Sequence, residues 1–136
     1  MIQQGFGALY NMEGHGSSGR KQAGLTLYGT TKAALRYFND CLADEVEGLP
    51  VIVCALSPGM IWTELVSDQF AGRPEQLEKN KGVLNIIMDR VETVAPWLAD
   101  QMLANQENGV RISWLNRRKI AGRFLTAPFK KREIIE

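Results

Sequence analysis

The chain has 136 residues, 45% of them hydrophobic and 23% charged, which is enough for one globular domain and ordinary in composition. No stretch approaches the roughly 18 consecutive apolar residues of a membrane span, and the start lacks the basic and apolar regions of a secretory signal, so a cytoplasmic protein is expected. The net charge of +1 is unevenly distributed, because residues 1–110 hold eight Lys and Arg against thirteen Asp and Glu, whereas residues 111–136 hold eight against two.

The first part of the chain predicts a strand, a helix and a second strand. Ala8 to Met12 is a short apolar run that ends in a loop rich in Gly and Ser, residues 13–19. A long helix is predicted from Tyr28 to Val46, because apolar residues recur at three- and four-residue steps until a Gly and a Pro stop it. Val51 to Leu56 is continuously apolar, as in a parallel strand covered on both faces. A right-handed crossover would make the two strands parallel and place both following loops at their carboxyl ends, where α/β proteins bind ligands.

The remaining elements are less regular. We predict an irregular region, suited to a mobile substrate lid, from Ser57 to about Lys81. A helix follows from Glu92 to Leu103, in which Pro96 must lie in the first turn or cause a kink. A short last strand is predicted within residues 110–115, and the basic tail after it is predicted to be helical.

The two cysteines are predicted to be buried structural thiols. Cys41 lies in the long predicted helix and Cys54 in the second predicted strand, and neither has a Cys or His nearby at the spacing of metal ligands. We therefore expect neither a disulfide bond nor a metal site.

Tyr28 and Lys32 stand four residues apart at the start of the long predicted helix, so their side chains project from one face and can act on one ligand. A free phenol is too weak an acid or base at neutral pH, but a neighbouring ammonium group favours the phenolate. Such a phenol can donate a proton to a carbonyl oxygen as hydride arrives, or remove one from an alcohol. The spacing alone arises often by chance and needs context.

That context is a second motif in residues 57–63, with the sequence Ser-Pro-Gly-Met-Ile-Trp-Thr, which begins where the second predicted strand ends. Together with Asn11, the Gly and Ser loop and the Tyr-x-x-x-Lys pair, it resembles the short-chain dehydrogenase/reductase family over almost the whole chain. The resemblance implies an NAD(P)-dependent oxidoreductase that uses NADPH or NADH to reduce a small-molecule carbonyl substrate. Tyr28 would be its catalytic acid and base, and Lys32 would hold the nicotinamide ribose. The second motif would contact the cofactor through four residues: Pro58, Gly59, Ile61 and Thr63.

The third catalytic residue is a Ser that this family usually places thirteen residues before the Tyr, where this chain has His15. Ser17 and Ser18 precede Tyr28 by eleven and ten residues, and the loop length varies in the family. We predict that Ser17 orients the substrate oxygen. His15 is an alternative hydrogen-bond donor or substrate contact, although a lone His in a loop is more often solvated.

Within the family, three strings look like the chlorophyll b reductase branch: Asn-Met-Glu-Gly-His-Gly-Ser-Ser-Gly-Arg, Leu-Tyr-Gly-Thr-Thr-Lys and Leu-Ser-Pro-Gly-Met-Ile-Trp-Thr-Glu-Leu. That likeness implies reduction of the formyl group of chlorophyll(ide) b with NADPH, and a plastid location if the source is a photosynthetic eukaryote. Other carbonyl compounds stay open as substrates, because function belongs to the site and not to the fold.

A glycine-rich turn between a strand and a helix, which would bind the cofactor pyrophosphate, is not found before Tyr28. We therefore expect an α/β fold that is the carboxy-terminal half of a Rossmann-type doubly wound parallel sheet, lacking the amino-terminal dinucleotide-binding half, and hence a fragment of a longer enzyme. Residues 1–110 would form a partial catalytic half, and residues 111–136 a basic carboxy-terminal tail of the same domain.

The basic tail suggests a second class of function. It interleaves Lys and Arg with Ile120, Phe124, Leu125 and Phe129, and could lie on an anionic membrane surface or bind nucleic acid, although a solvated helix is the plainer interpretation. We expect no nucleic-acid partner. The alternative function is a catalytically inactive half-protein, or a module that binds a membrane surface or a partner, without a cofactor site. The family often pairs its long helix in a homo-oligomer, which would use the helix from Tyr28.

Overall fold

The computed structural model describes residues 1–135 and shows two compact units. The first unit comprises Met1–Ser57 and Leu98–Ser113, and the second comprises Pro58–Trp97 and residues 114–135. Within the described residues the chain is an α/β protein with two parallel sheets and five α-helices. The predicted division after residue 110 stays a prediction.

The first unit is built on a three-stranded parallel sheet in the order β1, β2, β5, formed by Ala8–Met12, Ile52–Ser57 and Arg111–Ser113. Parallel pairing places the carboxyl ends of all three strands at one edge. The predicted first strand is confirmed, the second lies one residue later than predicted, and the third lies within the predicted range.

The central strand β2 forms the core of this unit. Val53, Cys54, Ala55 and Leu56 are all buried, because α1 (Thr26–Glu45) packs on β2 and strands pair with it on both sides. This burial explains why the strand is apolar throughout instead of alternating. By contrast, Leu9 and Met12 of β1 are exposed, since β1 lies at the edge of the sheet.

Helix α1 begins two residues before the predicted start and ends one residue before the predicted end. Its buried residues are Asn39 and Ala43. The amide nitrogen Nδ2 of Asn11 donates a hydrogen bond of 3.0 Å to Oδ1 of Asn39. Since a buried polar group without a partner is costly, this bond lets a polar residue face the sheet and ties α1 to β1.

The second unit contains a two-stranded parallel sheet and three helices that lie wholly within it. The strands are β3 (Ile61–Trp62) and β4 (Asp89–Arg90), and the helices are α2 (Glu64–Ser67), α3 (Pro74–Ile87) and α5 (Arg117–Thr126). The prediction of a helical tail is confirmed for Arg117–Thr126, which form α5, and is wrong for residues 127–135, which are not helical. The core of this unit forms around three buried side chains: Leu84, Met88 and Ile135.

The prediction of an irregular region from Ser57 to about Lys81 is wrong for most of these residues. It contains β3, α2 and the first half of α3. Pro74 is the first residue of α3, where its missing amide and fixed φ suit a helix start. This proline therefore begins a helix and does not mark a disordered connection.

Helix α4 spans Val91–Ala104 and agrees with the prediction to within one residue at each end. Of the two alternatives predicted for Pro96, a place in the first turn is wrong, because Pro96 lies in the second turn, where it lacks the amide that would bond to the carbonyl oxygen of Glu92. Across residues 1–135, no helix has both the length and the apolar character needed to cross a lipid bilayer.

Both cysteines are free thiols in the predicted elements. Cys41 is half-buried on α1, and Cys54 is buried in β2. In the part of the chain that the structure describes, no cluster of three His, Cys, Asp or Glu side chains could hold a metal ion.

Candidate active site

Tyr28 and Lys32 lie in the first two turns of α1, next to the end of β1. The nitrogen Nζ of Lys32 donates a hydrogen bond of 2.9 Å to the carbonyl oxygen of Met12 and lies 5.8 Å from the centre of the Tyr28 ring. Tyr28 is 38% exposed, and its hydroxyl forms no hydrogen bond with any of residues 1–135. An accessible phenol without a partner thus stands beside a fixed ammonium group.

Ser17 joins the loop after β1 to the same helix. Its hydroxyl donates a hydrogen bond of 3.2 Å to the carbonyl oxygen of Lys32 and accepts one of 3.1 Å from the amide of Gly14. The first unit therefore places Ser17 against the backbone of the helix that carries Tyr28 and Lys32.

Two glycines allow this close approach of the loop to the helix. A Cβ at Gly14 would collide with the Tyr28 hydroxyl and lie 3.1 Å from Cε of Lys32. Gly16 has a φ of +106°, and a Cβ there would lie 2.5 Å from the carbonyl oxygen of Gly29 in α1. Since that oxygen belongs to the backbone of a helix, it cannot move aside cheaply. Gly16, which the sequence presents as part of a flexible loop, is therefore required by packing.

His15 occupies the family's usual Ser position in the sequence, and its side chain is half-buried. Its ring nitrogen Nε2 is shielded from solvent and has no hydrogen-bond partner among residues 1–135. The expectation that a lone histidine in a loop is solvated is therefore wrong for this nitrogen. A buried ring nitrogen without a partner either lowers the free energy of unfolding or forms a hydrogen bond with a ligand, as donor or as acceptor.

Glu13 forms an ion-pair cluster that the sequence analysis missed. Its carboxylate accepts hydrogen bonds from Nε of Arg111 at 2.6 Å and from a guanidinium nitrogen of Arg36 at 3.0 Å. Arg111 also donates to the hydroxyl of Ser57 at 3.1 Å. A hydrogen bond from Arg36 to Asp40, with the charges of Asp40 and Glu13, raises the pKa of Arg36 despite its partial burial. The cluster therefore holds the loop after β1 against α1, β2 and β5.

The second motif begins with Ser57 at the end of the first unit, and its remaining residues, Pro58 to Thr63, lie in the second unit. At Gly59 the φ is +79°, and a Cβ would lie 2.5 Å from Cβ of Leu115, so the turn after Pro58 requires glycine. Ile61 begins β3, and Thr63 directly precedes α2. The hydroxyl of Thr63 makes no capping bond, and it has no other hydrogen bond inside residues 1–135. This hydroxyl is therefore available to a ligand.

Comparison with known proteins identifies a family. The sequence profile of the family described as short chain dehydrogenase matches residues 1–74, which is more than half of the chain. The matched part contains β1, α1, β2 and the second motif.

Two plant proteins share much of this sequence. "Probable chlorophyll(ide) b reductase", a chloroplastic protein of Arabidopsis thaliana, is 34% identical over 113 residues, which are 83% of this chain and 22% of that protein. The protein of the same name in Oryza sativa subsp. japonica is 34% identical over 125 residues, 92% of this chain and 24% of that protein. Acetoacetyl-CoA reductase of Cupriavidus necator is 31% identical over 106 residues, 74% of this chain and 41% of that protein. The chain thus spans less than a quarter of the length of the two plant relatives.

Proposed function

The chain belongs to the short-chain dehydrogenase family, and we propose that it carries the carboxy-terminal, catalytic half of a Rossmann-type NAD(P)H-dependent oxidoreductase that reduces a carbonyl group. The observation that carries the proposal is the pair formed by Tyr28 and Lys32. A partly exposed phenol without a hydrogen bond inside the described residues stands beside an ammonium group that the carbonyl oxygen of Met12 fixes in place.

Tyr28 would act as the proton donor. When the carbonyl carbon accepts a hydride, its oxygen gains negative charge and takes the phenol proton, so that the product is an alcohol. The ammonium group of Lys32 would stabilise the phenolate that is left, because opposite charges attract. Reduced nicotinamide dinucleotide supplies the hydride when it is bound.

Ser17 would orient the substrate oxygen, but its hydroxyl has a single proton, which is directed at the carbonyl oxygen of Lys32. The proposed role therefore requires the Ser17 hydroxyl to rotate about its Cβ–Oγ bond when the substrate enters, so that its proton points to the substrate. The amide of Gly14 can continue to donate to the serine oxygen during this rotation. His15, with its buried ring nitrogen, is the alternative donor.

The residues proposed to hold the cofactor have polar groups that suit it. The ammonium group of Lys32 has three hydrogen-bond donors and uses one on Met12, which leaves two for ribose hydroxyls. The Thr63 hydroxyl, which has no partner among residues 1–135, suits a phosphate or carboxamide. The same motif offers a glycine turn and an apolar side chain, at Pro58, Gly59 and Ile61.

A formyl group of the chlorophyll(ide) b type is the substrate we propose to test first. The support is that the two plant relatives, whose name is chlorophyll(ide) b reductase, align with 83% and 92% of this chain. The name of the acetoacetyl-CoA reductase refers to a different carbonyl compound, so the comparison assay includes acetoacetyl-CoA.

The test is turnover with NADPH and chlorophyllide b by this chain in the full-length context that supplies the cofactor half, followed by the loss of reduced-nicotinamide absorbance and by separation of the alcohol product. We expect Tyr28→Phe to lower kcat by about 10² to 10⁴, the usual contribution of proton transfer, without changing the urea midpoint. Tyr37→Phe is the matched control, because Tyr37 is an exposed phenol on the same helix.

Two results would overturn the proposal. One is equal activity of Tyr28→Phe and Tyr37→Phe. The other is an absence of turnover by the unmodified enzyme in the full-length context with both carbonyl compounds, combined with an absence of saturable NADPH binding in a fluorescence titration. That combination would favour the alternative, a half-protein without a cofactor site.

A further inference from the structure

The outward face of α5 combines basic and apolar side chains. At about 100° of rotation per residue, Arg117, Arg118, Ala121, Phe124 and Leu125 fall within about a third of the helix circumference. All five are exposed, including Phe124 at 46% and Leu125 at 76%. Large apolar side chains are therefore presented to the surroundings beside two guanidinium groups.

The segment after α5 adds exposed side chains of the same two kinds. Phe129 is 92% exposed, and the adjacent Lys130 and Lys131 are exposed as well. No Asp or Glu occurs in the sequence from Asn108 to Arg132. We call these side chains the basic-apolar surface: Arg117, Arg118, Phe124, Leu125, Phe129, Lys130 and Lys131.

Other basic residues of the same tail are used inside the second unit. Arg123 donates to both carboxylate oxygens of Asp89 at 2.8 and 3.0 Å, and Arg132 donates to Asp89 at 2.6 Å. Arg123 and Arg132 also donate to backbone carbonyl oxygens. The inner side of the tail is thus fixed at several points, so the outer side is held as a surface on a folded element.

The four cations of the basic-apolar surface differ from these two arginines. Counting only partners within residues 1–135, none of their side chains forms an ion pair or a hydrogen bond. Four positive charges without a counter-charge attract an anionic surface, and the attraction is weakened by salt.

We propose that the basic-apolar surface binds an anionic lipid bilayer. The headgroup layer offers negative charge to Arg117, Arg118, Lys130 and Lys131, and the acyl region beneath it accepts apolar side chains such as Leu125. Nucleic acid offers the charge but no apolar layer for an exposed leucine. A second copy of this chain brings four cations against four cations at a symmetric interface, which is unfavourable.

The test is flotation of the full chain with lipid vesicles in a density gradient, because bound protein floats while aggregated protein sinks. We expect flotation with vesicles of phosphatidylcholine and phosphatidylglycerol, less flotation as the salt concentration rises, and none with phosphatidylcholine alone. Equal flotation with both vesicle types, or no flotation with either, would overturn the proposal.

Variants separate the two parts of the surface. Lys130→Glu combined with Lys131→Glu should weaken binding to anionic vesicles by at least about tenfold, since each Lys or Arg close to an anionic membrane strengthens the electrostatic attraction to it. Arg20→Glu with Lys21→Glu makes the same charge change at exposed positions of the first unit, and should reduce binding much less.

The apolar part is tested by Leu125→Ser combined with Phe129→Ser, which removes apolar side chains without changing the charge and should strongly reduce flotation. Leu65→Ser with Leu103→Ser is its control, because both leucines are exposed but lie outside the tail. Each variant should keep the urea midpoint of the unmodified chain, which shows that the fold is intact. Equal losses in a variant pair and its control pair would show that the tail is not the binding surface.

Discussion

Glu13 and Arg111 are joined by a hydrogen-bonded ion pair in which Nε of Arg111 lies 2.6 Å from a carboxylate oxygen of Glu13. Only 3% of the Glu13 side chain is exposed, and its other oxygen accepts a hydrogen bond from Arg36. Since Arg36 belongs to α1 and Arg111 to β5, one carboxylate links the helix that carries Tyr28 to the sheet.

The first prediction is that Glu13→Ala lowers the free energy of unfolding by about 2–3 kcal/mol, because hydrogen bonds between charged groups contribute about 1.5–3 kcal/mol and the freed arginines regain only part of their hydration. Urea unfolding measures the change. Asp40→Ala is the control, since Asp40 pairs with Arg36 on an exposed helix face at 2.8 Å and should contribute only about 0.5 kcal/mol. Similar losses in both variants would show that the buried ion pairs of Glu13 stabilise the fold no more than the exposed pair of Asp40.

The second prediction concerns the contact of Gly16 with Gly29. Gly16→Ala places a methyl group 2.5 Å from a helix carbonyl oxygen, in addition to the strain of a positive φ. Gly19→Ala has the same kind of strain, at a φ of +76°, but its methyl group meets open space. We expect Gly19→Ala to cost about 1–2 kcal/mol, and Gly16→Ala to cost at least about 1 kcal/mol more.

Gly16→Ala should also lower the activity in the proposed assay, because the clash moves the loop that carries Ser17 away from α1. Gly19→Ala should leave kcat within about threefold of the unmodified chain, since it disturbs no contact with the helix. If the two alanine variants have the same stability and the same activity, the loop does not depend on the approach of Gly16 to Gly29.

The sequence predicts those elements whose signal lies within one segment. The strand β2 is apolar throughout because it is buried on both faces, and α1 shows apolar residues at three- and four-residue steps. The four-residue spacing of Tyr28 and Lys32 is likewise local, and a helix of 3.6 residues per turn is sufficient to bring the two side chains near each other.

The features that the sequence analysis missed depend on segments that are distant in the chain. Glu13 and Arg111 are 98 positions apart, and their pairing requires the strand order of the sheet, which composition and spacing do not give. Gly16 is required because it contacts the backbone of Gly29. In the sequence, a glycine required for such a contact looks the same as a glycine in a flexible loop. The start of α3 at Pro74 was missed for another reason. The neighbouring sequence does not distinguish a proline at the first position of a helix from a proline in a loop.

The third prediction separates Ser17 from His15 as the group that orients the substrate oxygen. Ser17→Ala should lower kcat by about 10² to 10³, the usual effect of removing one hydrogen-bond donor from a developing negative charge. His15→Ala should lower kcat by no more than about threefold if its ring nitrogen only packs against the loop. The reverse order of effects would assign the role to His15.

The fourth prediction concerns Asp89 in β4, which is 3% exposed and accepts hydrogen bonds from Trp114, Arg123 and Arg132. Burial alone would raise the pKa of Asp89, but the hydrogen bonds from Trp114 and Arg123, the charge of Arg123 and the hydrogen bond from Arg132 outweigh it and hold the pKa below its usual range. In the unfolded chain an aspartate titrates near pH 4, so the unfolded state takes up this proton first as the pH falls.

The stabilisation by Asp89 should therefore be complete above about pH 5 and be lost as the pH falls through the lowered pKa of the folded state. At about pH 7, Asp89→Asn should cost about 3–5 kcal/mol, because two largely buried guanidinium groups lose their counter-charge. Urea unfolding at a series of pH values should show the unmodified chain approaching the stability of this variant in acid. Asp100→Asn, at an exposed position of α4, should follow the unmodified chain at every pH. A constant difference between Asp89→Asn and the unmodified chain from about pH 7 to about pH 3 would contradict a lowered pKa of Asp89 as a source of stability.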